Sequence, residues 1–436
     1  MEDTYCPIPW NFQAVRSNGD MRVCCQANIS KTQGLLRKEN GDGYNAAEGD
    51  LISPRNSSLI KEIRAGMLKG RWHSSCERCH REEKAGLSSR RKYEREQWSL
   101  SQHQAAEKTH SDGTINPKDF PVAYYDLRFG NLCNLKCRMC GPTDSSAWYE
   151  DWFELNGTLE FKDTSGPVQI TKGPGGYSSK AYDWHYSDEF WNSFEQQLPQ
   201  IQHIYMAGGE PLLIKRHYEF LTKCVERQYS ANMILEYNTN CTKIPDQALE
   251  LWKHFKEVRI GASIDGYGEV AEYQRYPSRW NEVYANLQKL NAQDGPLHLW
   301  LAYTVTAYNV WHMPDFMKWK LKESGLHRFN GSERKPIITY HMAHNPPHLN
   351  VRVLPKEFKD QVVGRFENFV AWVKQEGFPA NYVQQAESIG KSIKDYMLAD
   401  DSHVQRWPQF KQYTLGLDKI RGQNISDLIP ELSPFL

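Results

Sequence analysis

Three cysteines in the second quarter of the chain have the spacing of metal ligands. Cys133, Cys137 and Cys140 form a C-x3-C-x2-C run, and no fourth cysteine follows nearby. Zinc sites usually take a fourth Cys or His at matched spacing, so this run favours an iron–sulfur cluster over zinc or ordinary thiols. Three thiolates leave one iron of a 4Fe–4S cluster without a protein ligand, and that iron can bind a cofactor or substrate.

A second group of cysteines lies in the first 80 residues. Its members are Cys6, Cys24, Cys25, Cys76 and Cys79. A turn signal at residues 17–20 predicts a hairpin between the early cysteines, and an amphipathic pattern over residues 58–69 predicts a short helix. A hairpin and a helix that bring two cysteine pairs together form a closed site of four thiolates, which suits zinc and iron–sulfur alike.

Strand patterns alternate with helical patterns from residue 120 onward. The predicted strands are residues 122–128, 201–207, 233–238, 257–262, 298–305 and 337–342. Helices are predicted near residues 214–228 and 246–254. Strand, helix and strand at short intervals predict a parallel sheet with right-handed crossovers. The Cys133 run would then leave the carboxyl end of the first strand, where βα barrels build their active sites.

Glycine and polar residues follow several of these strands. They are Gly208, Gly209, Glu210 and Pro211 after the second strand, Asn240 after the third, and Ser263, Asp265 and Arg275 after the fourth. Paired glycines let the backbone approach a ligand closely. Short hydroxyl and carboxylate side chains can bind sugar hydroxyls, although a helix-capping turn uses the same residue types. An arginine fork suits a ligand carboxylate.

The cysteine run and the Gly-Gly-Glu-Pro element together resemble the signatures of the radical S-adenosylmethionine (SAM) enzymes. In that family the open iron binds the amino and carboxylate groups of SAM, and an electron from the cluster cleaves SAM to methionine and a 5′-deoxyadenosyl radical. The resemblance covers about residues 120–345. It implies an α/β fold, namely a partial (β/α)6 TIM-like barrel with a small N-terminal cysteine-rich α+β module and a helical C-terminal tail.

The same resemblance implies roles for the residues at the strand ends. Residues 208–211 would contact the amino group of SAM, and Ser263 and Asp265 would bind its ribose. Arg275 would pair with its carboxylate, with Arg279 as the alternative. Asn240 would also line the cofactor. No catalytic acid or base is assigned, and Cys241 is expected to be an ordinary buried thiol.

The N-terminal cysteines resemble the front half of the SPASM and twitch extensions, which carry auxiliary clusters in this family. Most relatives have the extension after the barrel, whereas here it precedes the barrel. The expected ligands are Cys6, Cys24, Cys76 and Cys79, with Cys25 as the alternative to Cys24. The later part of a full SPASM module is missing, so the resemblance implies one auxiliary 4Fe–4S cluster.

Four parts are predicted along the chain. They are the twitch-like module at 1–85, a linker at 86–119, the barrel at 120–345 and a helical region at 346–436. A long polar loop is expected at 156–187, and it ends in four ring side chains that contact substrate or belong to the core, namely Tyr182, Trp184, His185 and Tyr186. Ser187 is expected to cap the helix that follows.

The balance of charge and the distribution of apolar residues exclude several classes of protein. Lys+Arg and Asp+Glu number 53 each, and this balance argues against a large nonspecific nucleic-acid surface. No apolar stretch approaches about 18 residues, so no transmembrane helix is expected. The N-terminus lacks a signal-peptide pattern. Clustered cysteines in a non-secreted chain then favour metal binding in a reducing cytoplasm.

The resemblance implies hydrogen abstraction from an unactivated C–H bond, with electrons from a reductant such as flavodoxin or ferredoxin. SPASM and twitch relatives often oxidise, cross-link or epimerise peptide residues, so a peptide or protein is the expected substrate. Oxidation or rearrangement of a small metabolite is the alternative. A non-catalytic zinc-binding interaction module is the alternative of another class.

Overall fold

The computed structural model describes residues 3–27, 34–84, 88–332, 335–399 and 404–436. The strands are β1 Phe12–Val15, β2 Met21–Arg22, β3 Tyr124–Phe129, β4 Glu160–Asp163, β5 Gly166–Gln169, β6 Thr171–Gly173, β7 Gly176–Ser178, β8 His203–Gly208, β9 Ile234–Thr239, β10 Glu257–Ser263, β11 Leu297–Val305 and β12 Thr339–Met342. The helices are α1 Ile8–Asn11, α2 Ser58–Leu68, α3 Glu77–Lys84, α4 Arg90–Gln97, α5 Gln102–Glu107, α6 Trp148–Asn156, α7 Asp188–Glu195, α8 Lys215–Glu226, α9 Asp246–Trp252, α10 Glu269–Gln274, α11 Trp280–Asn291, α12 Met313–Lys322, α13 Lys356–Gln375, α14 Ala380–Leu398, α15 Trp407–Arg421 and α16 Ile425–Leu428.

The contacts within the chain divide it into two compact units. The first unit comprises Met1–Leu132, Glu160–Tyr237 and Glu250–Val258. The second unit comprises Cys133–Leu159, Asn238–Leu249 and Arg259–Leu436. The four-part division drawn from the sequence remains a prediction.

In the first unit the strand order is β2-β1-β3-β8-β9. β1 and β2 form the predicted hairpin, in which Val15 pairs with Met21. β1 runs parallel to β3, β3 to β8 and β8 to β9. The predicted helix at 58–69 is confirmed as α2, which buries Ile60, Ile63 and Met67. These apolar residues recur every three to four positions, which is the period of one helix face.

In the second unit β10, β11 and β12 follow one another, and β11 and β12 pair in parallel. Helices α11 and α12 alternate with these strands. The C-terminal region is helical, as predicted, with α13 and α14 packed together and α15 against α6. Among the described residues, no helix is both long and apolar enough to cross a membrane.

The predicted fold class is confirmed. The six predicted strands correspond to β3 and to β8 through β12, and the predicted helices near 214–228 and 246–254 correspond to α8 and α9. The architecture is a mixed α/β fold with mostly parallel strands and a helical C-terminus. Strand bounds differ from the predicted ones by at most two residues, as helix and strand ends commonly do.

The polar segment 156–187 is more ordered than the sequence indicated. It contains two short hairpins, β4–β5 and β6–β7, whose two-residue turns are Thr164-Ser165 and Pro174-Gly175. The Tyr182 hydroxyl donates to Asp163 at 3.0 Å, and the Trp184 indole donates to the Ser17 carbonyl at 3.0 Å. These rings therefore belong to the core of the first unit.

His185 and Tyr186 differ in their surroundings. His185 is buried, which lowers its pKa to about 4, whereas Tyr186 is 57% exposed. The predicted helix cap is confirmed, because Ser187 Oγ accepts the Phe190 N–H at 3.1 Å at the start of α7. Tyr186 alone of the four ring residues remains accessible to a substrate.

Candidate active site

The Cys133–Cys140 loop lies in the second unit and leads into α6. Cys137 is buried, whereas Cys133 and Cys140 are partly exposed. The Cys140 N–H donates to the Cys137 carbonyl at 3.0 Å, which closes a turn between these two cysteines. The indole of Trp148, the first residue of α6, donates to the same carbonyl at 2.9 Å. These two hydrogen bonds hold the turn that carries Cys137 and Cys140, and the segment as a whole offers three thiols.

The charge on the thiols is set by their neighbours. A hydrogen bond from Cys140 lowers the pKa of Cys137, and the nearby guanidinium of Arg275 lowers it further. Burial has the opposite effect but is outweighed. The Arg275 Nη1 atom lies 3.9 Å from Cys137 Sγ. The hydrogen bond to Cys137 and burial raise the pKa of Cys140. Metal ligands must lose their protons, so the positive charge of Arg275 favours Cys137 as a thiolate ligand.

Asp265 and Arg275 contact each other directly. The Asp265 Oδ2 atom lies 2.6 Å from Arg275 Nη2, and Asp265 Oδ1 accepts the Thr304 N–H at 2.7 Å. Burial raises the pKa of Asp265, while Arg275 opposes that shift. Both groups thus have protein partners, and their contacts with SAM remain predictions. The alternative, Arg279, is exposed immediately before α11.

Asn240 contacts the same cysteine loop. Its Nδ2 atom lies 3.8 Å from Cys133 Sγ and donates to Asn134 Oδ1 at 3.1 Å. A small cavity is lined in part by Asn240, Asp265 and Arg275. Three residues predicted from two strand ends therefore converge beside the cysteines. Ser263 is the half-buried last residue of β10.

The Gly-Gly-Glu-Pro element ends β8 in the first unit. Gly208 has a φ of +120°, and a Cβ on Gly209 would lie 2.2 Å from the Leu132 carbonyl oxygen. The Glu210 N–H donates to that carbonyl at 2.7 Å, and Glu210 Oε1 accepts the Leu212 N–H at 3.1 Å. The glycines are thus required for a close approach to the chain's own backbone. The predicted contact with SAM remains a prediction.

Sequence reasoning missed a buried network that fastens the cysteine loop. Arg138, between Cys137 and Cys140, is fully buried, and its guanidinium pairs with Asp418 of α15. Arg138 Nη2 also donates to Gln423 at 2.9 Å, and its guanidinium lies 3.6 Å from the ring centre of Tyr273. The sequence carries no signal for this pair, because 280 positions separate its two members.

A second ion pair joins α15 to α6. Arg421, the last residue of α15, has its Nε atom 2.8 Å from Asp151 Oδ2 of α6. Lys136 of the cysteine loop also pairs with Asp151. The Tyr413 hydroxyl donates to the Arg138 carbonyl at 2.9 Å. Helix α15 is therefore a direct structural support of the predicted cluster loop.

The N-terminal cysteines surround one apolar cavity in the first unit. The residues that line it include Cys6, Cys24, Cys25, Cys76, Cys79, Phe12, Trp72, Arg90 and Arg91. Burial raises the pKa of Cys6 and Cys24 well above the ordinary value and that of Cys76 to about 12. Without a metal these thiols are therefore neutral, and metal binding would displace their protons.

Backbone N–H groups point at three of these sulfur atoms. Cys6 accepts from Ile8, Cys24 accepts from Gln26, and Cys79 accepts from Arg90 and Arg91 at the start of α4. These hydrogen bonds favour the thiolate form. Hydrogen bonds to the sulfur atoms also help to set the reduction potential of iron–sulfur clusters.

The environments of Cys24 and Cys25 differ. Burial has the largest effect on the pKa of Cys24. The next largest effects come from Cys25 and Cys76, and Cys79 has a smaller effect. That of Cys25 is affected by Asp126 and by three arginines, Arg90, Arg22 and Arg128. Cys24 thus belongs to the group of Cys6, Cys76 and Cys79, whereas Cys25 faces a charged network. This difference supports Cys24 over Cys25 as a ligand.

Comparison with known proteins identifies part of the chain. Residues 127–319 match the family model of the Radical SAM superfamily. Residues 127–319 therefore form a Radical SAM domain, and this family implies a 4Fe–4S cluster and SAM. No curated protein sequence gives a significant match.

Some solved structures are similar over part of their length. Native anSMEcpe with bound AdoMet is 16% identical with a TM-score of 0.37, over 59% of this chain and 62% of that one. Native anSMEcpe with bound AdoMet and Cp18Cys peptide is 15% identical with a TM-score of 0.36, over 59% and 62%. Streptococcus suis SuiB bound to precursor peptide SuiA is 13% identical with a TM-score of 0.32, over 85% and 72%. The chain thus spans about three fifths of the length of anSMEcpe.

The donor groups of the chain fit iron–sulfur clusters at both cysteine sites. Among the described residues, no three His, Cys, Asp or Glu side chains lie close enough together to hold a single metal ion. A cluster does not require its ligands to meet at one point, because each thiolate binds its own iron. The loop offers three thiols, and the N-terminal cavity offers four together with N–H donors to sulfur.

Proposed function

We propose that the chain is a two-cluster radical SAM enzyme that abstracts hydrogen from a peptide or protein substrate. The observation that carries the proposal is the three-thiol Cys133–Cys140 loop, with Asn240, Asp265 and Arg275 gathered beside it. The twitch-like cysteine pattern around the N-terminal cavity supports a peptide substrate, since this resemblance points to peptide-modifying relatives. Oxidation, cross-linking and epimerisation of a peptide residue are the proposed outcomes.

Cys133, Cys137 and Cys140 would hold the cluster that binds SAM. When bound, this cluster supplies the electron that cleaves SAM to a 5′-deoxyadenosyl radical. Arg275 favours the thiolate form of Cys137, and Asp265 holds Arg275 in place through their ion pair. Asn240 orients Cys133 through the 3.8 Å contact of its amide with the sulfur. The chain's residues would thus hold the cluster and set the charge beside it.

The N-terminal cavity would hold an auxiliary 4Fe–4S cluster. Cys6, Cys24, Cys76 and Cys79 are the proposed ligands. The apolar lining excludes water, which keeps a cluster from hydrolysis and makes each N–H···S bond stronger. We place both clusters in a reducing cytoplasm, with flavodoxin or ferredoxin as the electron donor.

Anaerobic reconstitution with iron and sulfide tests the proposal as a whole. We expect about eight irons per chain, and 5′-deoxyadenosine after reduction with dithionite. Candidate peptides are then assayed by mass spectrometry for loss of hydrogen, a new cross-link or deuterium uptake from solvent. Bound zinc without SAM cleavage would contradict the proposal. If a small metabolite were turned over and no peptide were, the proposed radical chemistry would stand, but the proposed substrate class would be wrong.

Replacement of Cys76 and Cys79 by alanine tests the auxiliary site. We expect the iron content to fall by about four atoms per chain, because two of the four ligands are lost. SAM cleavage should persist at the other cluster. Cys224→Ala is the matched control, since Cys224 is a fully buried thiol of α8 outside the cavity. An unchanged iron content in the double variant would point to zinc or to bare thiols at the N-terminal site.

A further inference from the structure

A groove in the second unit runs between strand β12 and helix α14. β12 is an edge strand, because it pairs with β11 on one side and ends the strand order on the other. Tyr340 and Met342 of the strand line the groove, and Asn381, Ser388 and Ser392 of the helix lie opposite. None of these residues belongs to either cysteine site.

The backbone of β12 presents hydrogen-bonding groups to this groove. The Ala343 N–H donates to the Val305 carbonyl at 2.9 Å, and successive residues of a parallel strand direct their backbone groups to alternate sides. Tyr340 and Met342 therefore direct their N–H and C=O groups away from β11. In the part of the chain that the structure describes, these groups have no hydrogen-bond partner. Such an edge is a template for another strand.

Gln385 of α14 already pairs with the backbone just before β12. Its side-chain carbonyl accepts the Ile337 N–H at 2.6 Å, and its amide donates to the Ile338 carbonyl at 2.7 Å. A side-chain amide offers the same donor and acceptor as a peptide group. Gln385 thus takes the place of one peptide unit of a neighbouring strand. Beyond it, the edge at Tyr340 and Met342 continues along the open groove.

The charge of the lining indicates which side chains the groove accepts. Lys335, His341 and His344 line it, and the described residues of the lining include no aspartate or glutamate. We propose that this groove binds an extended acidic peptide segment, which adds to β12 as a further strand beside α14. Backbone hydrogen bonds would provide affinity, and the lining side chains would select the sequence. This inference rests on the proposed peptide substrate and assigns a place for its recognition.

Peptide binding to the reconstituted full chain tests the groove directly. The probe is a short fluorescent peptide of alternating glutamate and valine, and anisotropy reports its binding. We expect saturable binding that Ser388→Trp weakens at least about tenfold, since the indole fills the groove. Lys391→Trp is the matched control, because Lys391 is exposed on the same helix but does not line the groove. The Lys391→Trp variant should bind the probe peptide with the affinity of the parent protein.

Two further measurements separate strand addition from attraction by charge alone. N-methylation of alternate backbone nitrogens in the probe removes donors without changing charge, so it should weaken binding about tenfold or more. Hydrogen exchange at the Tyr340 and Met342 amides should slow when the probe binds. Equal binding of the N-methylated probe, or of a lysine–valine peptide, would overturn the proposal, as would the absence of saturable binding.

Failure of this inference is distinguishable from failure of the proposed function. The same preparation is assayed for 5′-deoxyadenosine without peptide. Cleavage of SAM without probe binding would contradict the proposed peptide-binding role of the groove and leave the proposed radical chemistry intact. Probe binding with the expected response to Ser388→Trp, but without SAM cleavage, overturns the radical chemistry and leaves a peptide-binding groove.

Discussion

Replacement of Cys133, Cys137 and Cys140 by alanine is expected to abolish reductive cleavage of SAM. The triple variant should form 5′-deoxyadenosine at the background rate and should lose about four irons per chain, because a cluster without its thiolate ligands does not assemble. The N-terminal cluster should remain, since its proposed ligands belong to a separate cavity of the first unit. The triple variant should therefore lose SAM cleavage and about half of its iron at the same time.

Iron analysis and chromatography of the reaction after dithionite reduction measure both effects. Cys224→Ala again serves as the control for removal of a cysteine, because it deletes a buried thiol outside either site. The Cys76 and Cys79 double variant gives the reciprocal pattern, with retained cleavage and about half of the iron. Retained SAM cleavage in the triple variant would contradict the assignment of this loop.

The cysteine motif and the strand pattern predicted the fold class because both are local signals. Three thiols within eight residues imply a metal, and strand–helix alternation implies a parallel sheet. The convergence of Asn240, Asp265 and Arg275 also followed from sequence, since the carboxyl ends of parallel strands share one edge. These predictions needed no knowledge of distant contacts.

Other features could not be predicted because they depend on distant partners. Gln385 pairs with backbone 47 and 48 positions away, so its position in sequence gives no sign of this role. The distinction between Cys24 and Cys25 likewise depends on which buried charges lie nearby.

Disruption of the Arg138–Asp418 pair is expected to be the most costly single change outside the cysteines. Asp418→Ala leaves the fully buried Arg138 guanidinium without its counter-charge. It also removes the acceptor of the Tyr273 hydroxyl and of the Ile425 N–H. Loss of one member of a buried ion pair costs about 3–5 kcal/mol, so the free energy of unfolding of this unit should fall by that amount.

Urea denaturation of the variant measures this loss. Asp395→Ala is the control, because Asp395 pairs with Lys391 on the exposed face of α14. A surface pair contributes about 0–1 kcal/mol, so this control should unfold almost as the parent does. A similar small change in Asp418→Ala would show that the Arg138 pair does not stabilise the fold.

The same pair should also affect the cluster, because Arg138 lies between two of its proposed ligands. We expect Asp418→Asn to keep the shape of the side chain and to alter the electron paramagnetic resonance spectrum of the reduced cluster, since the loop loses a fixed charge contact. Asp151→Asn, which removes the charge that pairs with Lys136 and Arg421, tests the neighbouring support in the same way. An unchanged spectrum in both folded variants would assign to α15 a role in stability alone, whereas a shifted spectrum at normal iron content would make Asp418 a positioning residue of the radical site.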